Sequence, residues 1–275
     1  MRPIRDNRNI YIIWKRHEGG GLRSLISFGV ETAAYLLRVR SHSRDYIREI
    51  IRGGYLASIN EKRYPGIRMY LPDFRRDLIQ KLIVRNQEFF EDAELNMLKE
   101  KWIPEGAVIC DCGAHIGNHT VYFGCVCKAE HVYSFEPVEH LFRILKRNIE
   151  LNGLTDTVSV FNVGLGGTES TARVSSYDRS NTGMARITAS KNGAIRIERL
   201  DDMIPAGIHV DFIKIDVEGG EYSLLEGAAR ILTESRPVIF IEVLPENIVK
   251  VFGLLNEYGY KKTGEFGNDN YLFTA

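Results

Sequence analysis

Five carboxylate side chains end or closely follow strand-like runs of the sequence, where they could exchange protons or bind polar groups of a ligand. They are Asp111, Glu136, Asp216, Glu218 and Glu242. Open parallel sheets bind ligands beyond the carboxyl ends of their strands. Residues at the ends of neighbouring strands can therefore lie around one bound molecule. The chemistry they offer is general acid–base catalysis, or hydrogen bonding to hydroxyl and ammonium groups.

A glycine turn follows the first of these acids. Residues 108–117 read VICDCGAHIG, so an apolar run stops at Asp111 and two glycines four residues apart come next. Gly113 allows a tight bend without a Cβ atom, and Gly117 lets the backbone approach a ligand. Glu136 ends the next strand and is placed to accept hydrogen bonds from two ribose hydroxyls. Strand, glycine turn and helix together predict a site for a nucleotide-like ligand.

Asp111 discriminates between two such ligands, NAD and S-adenosylmethionine. A carboxylate against the glycine turn would repel the pyrophosphate of a dinucleotide, whereas it attracts the ammonium of a methionyl group. The dinucleotide spacing G-x-G-x-x-G is also absent, since the run is G-A-H-I-G. We therefore expect a protein that binds S-adenosylmethionine. The alternatives are a nicotinamide-dependent oxidoreductase and a non-catalytic module that binds the cofactor.

Three motifs carry a resemblance to a known family. D-C-G-A-H-I-G-N-H-T from Asp111, S-F-E-P at 134–137 and F-I-K-I-D-V-E-G-G-E at 212–221 resemble the FkbM family of S-adenosylmethionine-dependent methyltransferases. Leu200-Asp201-Asp202 and Phe90-Glu91 are similar to that family too. The resemblance covers residues 85–245, with His115 standing where the family often has asparagine and Gly220 where a larger residue is common.

The resemblance implies a fold and a reaction. The fold is α/β, the Rossmann-like, doubly wound class I methyltransferase type, with a mostly parallel seven-stranded sheet ending in an antiparallel hairpin. The reaction is methyl transfer to the oxygen of a hydroxyl, on sugars or on polyketide-like metabolites. We expect this domain over residues 85–275, after a basic, partly helical extension over residues 1–84.

The residues expected to bind the cofactor come from the glycine turn, the first turn of the next helix and the ends of the neighbouring strands. They are Asp111, Gly113, Ala114, Gly117, Asn118, His119, Thr120, Glu136, Pro137, Asn162, Val163, Gly164 and Asp216. Free N–H groups in that first helical turn can hold the cofactor carboxylate.

Asp216 is the leading candidate for a general base or acceptor-orienting residue, Glu218 and Glu221 come next, and Glu242 is an acid on the substrate side. Acids in the D-V-E-G-G-E stretch, Glu221 included, could instead cap the helix that starts near Gly219. Asp216, Glu218 and Glu242 could also hold a divalent ion, but their positions are explained equally well without a metal, and we predict none.

Alternating strand and helix patterns from residue 108 onward predict the parallel sheet. The expected strands are Val108–Asp111, His131–Phe135, Val158–Val163, Val210–Ile215 and Val238–Val243, before a hairpin of Tyr260–Thr263 and Tyr271–Thr274. The expected helices are Leu78–Val84, Glu91–Glu100, His119–Cys127, Glu139–Leu151, Tyr222–Leu232 and Asn247–Tyr258. Residues 164–209 read as an insertion of short polar pieces near the site.

Composition narrows the partners. The formal net charge is +0 and the pI is near 7.1. These values argue against nucleic acid as the main partner, because binding to phosphates usually needs a basic surface. The first forty residues carry eight Lys/Arg against three Asp/Glu, which suits a helix packed on the main domain or a basic contact to a membrane surface or partner. Cys110, Cys112, Cys125 and Cys127 form two C-x-C pairs, which we interpret as core residues rather than zinc ligands.

The expected acceptor is a small-molecule or glycan hydroxyl. Reduced thiols, no apolar run of membrane-spanning length and no signal peptide suit a cytoplasmic protein. The leading hypothesis is therefore a cytoplasmic O-methyltransferase that acts on a carbohydrate hydroxyl, in a surface polysaccharide or glycolipid precursor. A polyketide-like secondary metabolite is the alternative acceptor.

Overall fold

The computed structural model of the protein describes residues 56–267 and 269–275. The strands are β1 Leu56–Ser58, β2 Arg68–Tyr70, β3 Val108–Cys112, β4 His131–Phe135, β5 Val158–Phe161, β6 Gly164–Leu165, β7 Ser170–Asp178, β8 Asn181–Ala189, β9 Ile195–Glu198, β10 Phe212–Ile215, β11 Val238–Glu242, β12 Lys261–Phe266 and β13 Asn270–Thr274. The helices are α1 Leu78–Asn86, α2 Asp92–Lys101, α3 Asn118–Cys125, α4 Glu139–Leu151, α5 Leu200–Met203, α6 Glu221–Glu226, α7 Ala229–Glu234 and α8 Ile248–Glu257, with a short 3₁₀ turn at Pro245–Asn247.

The main sheet has seven strands in the spatial order β12-β13-β11-β10-β3-β4-β5. Strands β3, β4, β5, β10 and β11 pair in parallel, and β13 pairs antiparallel to both β11 and β12. Numbered along the sheet, this is the order 3-2-1-4-5-7-6 with one reversed strand. The predicted class I methyltransferase fold is confirmed, including the terminal antiparallel hairpin.

Alternating side chains of the central strands feed two apolar clusters, one on each face of the sheet. Ile109 and Phe212 belong to one cluster, and their neighbours Cys110 and Ile213 belong to the other. All four residues of β10 are buried, as expected for a central parallel strand covered on both faces. This burial fixes the register of β3 against β10 and so fixes the two strand ends that bear Asp111 and Asp216.

The segment before residue 85 shares the first of these clusters. Ile59, Met69 and Ile83 are fully buried in the same cluster as Ile109. The division into residues 1–84 and 85–275 stays a prediction. The expected basic segment and the other features proposed for residues 1–55 lie outside the described residues. In the part of the chain that the structure describes, no helix is long and apolar enough to cross a membrane.

Residues 164–209 differ from the sequence expectation of short polar pieces. They build most of a second sheet, of order β6-β9-β7-β8, whose strands β7 and β8 each have nine residues. Only Ala172 of β7 and Thr182 of β8 are buried, so this hairpin has no alternating apolar pattern by which a strand is recognised. We call β7, β8 and the turn between them the site hairpin.

The prediction of one helix over Tyr222–Leu232 is also wrong, because two helices, α6 and α7, occupy this segment. A Cβ atom on Gly227 would lie 2.1 Å from the Gly166 carbonyl oxygen, so the chain is pinned close to another backbone there. The new helix begins with its own cap, since the Asp201 carboxylate accepts hydrogen bonds from the N–H groups of Arg230 and Ile231. Backbone approach and capping together explain the break.

Candidate cofactor and acceptor site

A cavity of about 300 Å³ opens at the carboxyl ends of β3, β4 and β10. This volume is at the lower end of the range for small-molecule sites. Gly113 after β3, Glu136 after β4 and Asp216 after β10 all line it. The topology therefore brings together three residues that are separated by up to 103 positions in the sequence.

The glycine turn holds the ends of β3 and β10 in contact. Gly113 has φ +82°, and a Cβ atom there would lie 1.7 Å from the carbonyl oxygen of Asp216. Gly117 has φ +85° and meets Leu145 of α4, where a Cβ would come within 2.7 Å of a methyl group. Gly117 does not line the cavity, so its close approach is to a helix rather than to the ligand as expected.

Glu136 presents a carboxylate at the cavity. It is 4% exposed, and its oxygens accept hydrogen bonds from the N–H groups of His115 at 2.9 Å and Val138 at 2.7 Å. Burial raises the pKa of Glu136 to about 7, although these two N–H groups favour the ionised form. Each carboxylate oxygen retains a further lone pair, so the group can still accept hydrogen bonds from two hydroxyls.

Asp111 lies behind the cavity wall rather than in it, which corrects the expectation that its carboxylate meets the cofactor directly. The side chain is fully buried, accepts a hydrogen bond from the Thr120 hydroxyl at 2.5 Å and lies 3.6 Å from the Lys214 ammonium. Lys214 also approaches Asp216 at 3.3 Å and donates to the Gly113 carbonyl at 2.8 Å. The charge of Asp111 is thus balanced inside the protein.

Lys214 is the buried cation that links the two acids. Burial disfavours its charged form, but the carboxylates of Asp216 and Asp111 outweigh this and raise the pKa of Lys214 above its ordinary value. Lys214 lines the cavity, so it connects the buried Asp111 to the exposed face of the site.

Asp216, Glu218 and Glu242, which we call the acid cluster, influence one another electrostatically. The pKa of Glu218 is raised to about 7, mainly by burial and next by the charge of Asp216. Burial is the largest of the causes that raise the pKa of Glu242 to about 8, and the charges of Asp216 and Glu218 come next. Asp216 and Glu218 line the cavity, whereas Glu242 does not. Glu218 has φ +51°, a strained conformation for a non-glycine residue.

Asn118 and His119 connect the first turn of α3 to the segment before α2. The Asn118 amide exchanges two hydrogen bonds with the backbone of Phe90, at 3.0 and 2.9 Å. His119 Nε2 lies 3.2 Å from a carboxylate oxygen of Glu91. Burial opposes the ionised form of Glu91, but His119 holds the pKa of that carboxyl below its ordinary value. Phe90 and Glu91 form a cavity wall together with the two α3 residues.

The remaining predicted residues divide into two groups. Those that line the cavity are Ala114, Pro137, Val163 and Gly164. Thr120 and Asn162 do not: Thr120 bonds Asp111, and the Asn162 amide donates to the carbonyls of Glu136 and Pro137. Glu221 is structural, since its carboxylate accepts hydrogen bonds from the Gly219 N–H and the Asn247 amide. The Gly219 N–H precedes α6, and α6 has no side-chain cap hydrogen bond of its own, so the capping interpretation stays a prediction.

Sequence reasoning missed one wall of the cavity and one residue of the glycine turn. The site hairpin supplies the wall, through Ser175, Thr182, Gly183, Ala185, Arg186, Ile187 and Thr188. His115 lines the cavity as well, with a φ of +53° that histidine and asparagine tolerate better than most residues. Its position between Gly113 and Gly117 was the available signal.

The four cysteines have no arrangement for a metal. Cys110, Cys112 and Cys127 are buried in the apolar clusters, and burial raises the pKa of the Cys125 and Cys127 thiols to about 11 and 12. Across residues 56–267 and 269–275, no three His, Cys, Asp or Glu side chains are grouped to hold a metal ion.

Comparison with known proteins identifies a family for this chain. A family model described as the methyltransferase FkbM domain matches residues 111–262, which is more than half of the chain. The chain belongs to the FkbM methyltransferase family. The match begins at Asp111 and includes the glycine turn, Glu136, the site hairpin and the acid cluster.

Individual relatives are distant. Methyltransferase sdnD of Sordaria araneosa is 24% identical, over 46% of this chain and 61% of that protein. Methyltransferase 1 of Beauveria bassiana is 24% identical, over 45% of this chain and 59% of that protein. The chain therefore spans about three fifths of the length of these curated relatives. The crystal structure of methyltransferase FkbM from Methylobacillus flagellatus KT is 20% identical with a TM-score of 0.45, over 74% of this chain and 58% of that chain.

Proposed function

We propose that this FkbM family member is an S-adenosylmethionine-dependent O-methyltransferase whose acceptor is a carbohydrate hydroxyl. The observation that carries the proposal is the meeting of Gly113, Glu136 and Asp216 around one cavity at the carboxyl edge of the sheet. The family match supports the same reaction class. We place the donor and the acceptor in this cavity.

The residues present fit the cofactor. Glu136 keeps lone pairs for the hydroxyls of a ribose, and Gly113 exposes backbone where any Cβ atom would collide with Asp216. Four acidic side chains, Glu91, Glu136, Asp216 and Glu218, line the cavity against two basic ones, Lys214 and Arg186. An acidic lining suits the cationic sulfonium and ammonium of this cofactor and disfavours the diphosphate of NAD.

Glu218 is the residue we assign to deprotonate the acceptor. S-Adenosylmethionine, when bound, supplies an electrophilic methyl group, and an alcohol attacks it well only as its proton leaves. Glu218 lines the cavity and its pKa of about 7 is suited to taking that proton near neutral pH. Asp216, already committed to Lys214 at 3.3 Å, orients the ligands rather than accepting the proton.

The wall formed by the site hairpin supports a hydroxylated acceptor. Ser175, Arg186 and Thr188 line the same cavity as Glu218, and sugars are recognised through such hydrogen-bonding groups. Ile79, Phe90 and Ile187 add apolar surface, and this favours a polyketide-like acceptor as the second candidate.

Methyl transfer assays test the proposal. The purified protein, incubated with S-adenosylmethionine and a panel of sugars, glycolipid headgroups and hydroxylated polyketides, should form S-adenosylhomocysteine together with a singly methylated sugar. The same panel with NAD is the control and should give no NADH. Methylation of polyketides alone would replace the carbohydrate assignment. NADH formation without methyl transfer to any hydroxyl would refute the function itself.

A further inference from the structure

A chain of three side chains joins the glycine turn to the site hairpin and to α1. His115 Nε2 lies 2.8 Å from the Thr182 hydroxyl oxygen. That hydroxyl donates to the Asp77 carboxylate at 2.6 Å, and the Thr182 N–H donates to the same carboxylate oxygen at 2.8 Å. We call Asp77, Thr182 and His115 the clasp. Asp77 is fully buried and Thr182 is 2% exposed, so water does not compete for these bonds.

The clasp determines which ring nitrogen of His115 carries a proton. The second oxygen of Asp77 accepts from the Gln80 N–H at 2.9 Å, so this carboxylate acts as an acceptor at both oxygens. Thr182 has one hydroxyl proton and gives it to Asp77, which leaves a lone pair directed at His115. His115 Nε2 must therefore be the N–H donor to Thr182. In a neutral imidazole, Nδ1 is then an unprotonated acceptor.

His115 is neutral at physiological pH. Burial lowers the pKa of its imidazole to about 4, against the opposing charges of Asp77 and Asp216. His115 lines the cavity, and its Nδ1 makes no hydrogen bond with any residue that the structure describes. An acceptor nitrogen is thus available at the site with its tautomer fixed by the protein.

We propose that His115 is a further cofactor-binding residue, whose Nδ1 accepts a hydrogen bond from a ribose hydroxyl of the cofactor, and that Thr182 and Asp77 are the positioning residues that fix its ring. This inference rests on the proposed function and names a contact within the same site. The backbone N–H of His115 donates to Glu136 at 2.9 Å, and both residues line the cavity. Two neighbouring acceptors match the two donors of a ribose diol.

The clasp also gives the site hairpin a defined place over the cavity. Asp77 caps the first turn of α1, and the neighbouring Leu78 N–H donates to the Ser180 carbonyl in the turn of the hairpin at 2.8 Å. Ligand contact, hairpin position and the start of α1 therefore depend on the same three side chains. A substitution of Thr182 should therefore weaken binding of the ribose even though Thr182 need not contact it.

Nitrogen-15 NMR of histidine-labelled protein tests the proposal, with His115→Asn identifying the resonance. We expect the Nε2–H tautomer of His115 in the free protein and an upfield shift of Nδ1 when S-adenosylhomocysteine is added. 5′-Methylthioadenosine, which keeps the ribose but lacks the amino-acid tail, should produce the same shift. A shift with S-adenosylhomocysteine only would assign the contact to the ammonium and overturn the ribose assignment.

Variants of Thr182 provide the matched control. Thr182→Val removes the hydroxyl at nearly constant shape and should weaken 5′-methylthioadenosine binding roughly 3- to 10-fold, with loss of the single tautomer. Thr182→Ser keeps the hydroxyl and should restore both. If both ligands bind the wild-type protein and Nδ1 does not move, this inference fails while the proposed function stands. If neither binds, the proposed function fails and the inference with it.

Discussion

Glu218 combines accessibility to the cavity with a pKa near neutrality, and these are the properties a proton acceptor needs. The raised pKa comes from burial and from Asp216 nearby, so it is a consequence of gathering acids at one edge of the sheet. Below about pH 7 the carboxyl is protonated and cannot take a proton from the acceptor. Above that pH it is ionised and can.

Turnover should therefore rise with pH through about 7 in the wild-type protein. Glu218→Gln should lower kcat about 10²- to 10⁴-fold and abolish this rise, while the Kd for S-adenosylhomocysteine changes little. Steady-state kinetics from pH 5.5 to 9 would measure the effect, with Glu226→Gln, on the exposed face of α6, as the control. An unchanged pH profile in Glu218→Gln would remove this residue from its assigned role.

At the level of elements, the turn between β3 and α3 depends on contact with the end of β10. Gly113 and Asp216 directly follow two strands that pair in parallel, and their backbones lie so close that no side chain fits on Gly113. Gly207 has a similar φ of +85°, but a Cβ atom on it would meet no other atom within 4 Å. Substitution of Gly207 therefore introduces backbone strain alone, whereas substitution of Gly113 introduces both strain and steric overlap.

Gly113→Ala should lower the free energy of unfolding by about 3 kcal/mol or more, because strain and overlap with the Asp216 backbone add. Gly207→Ala should cost only the strain, about 1–2 kcal/mol. Urea denaturation of both variants measures the difference. Equal losses would show that overlap with the Asp216 backbone adds no cost beyond the backbone strain.

The elements that can be predicted from sequence are those with a strong apolar pattern. The pattern predicts His131–Phe135 and Glu139–Leu151 with the observed bounds, because β4 and the amphipathic α4 bury regular faces. It misses the site hairpin because this hairpin covers a cavity and buries few side chains. It also misses the division between α6 and α7, which depends on Gly166 and Asp201, far away in the sequence.

At the scale of the whole molecule, the sequence predicts which strand ends meet but not how side chains share charge. Glu136, Asp216 and Glu218 are expected around one ligand, and the structure places all three around one cavity. Asp111 is expected to provide the negative field, yet Lys214 balances it, and the cavity-lining acids provide that field instead. The clasp could not be predicted, because its three residues meet only through tertiary packing.

Isothermal titration calorimetry of the wild-type protein, with S-adenosylhomocysteine and NAD as separate ligands, tests the central claim most directly. We expect saturable 1:1 binding of S-adenosylhomocysteine, no measurable binding of NAD, and a weaker S-adenosylhomocysteine affinity in Glu136→Ala because the carboxylate that accepts from the ribose is lost. Binding of NAD with no response to S-adenosylhomocysteine would contradict the account.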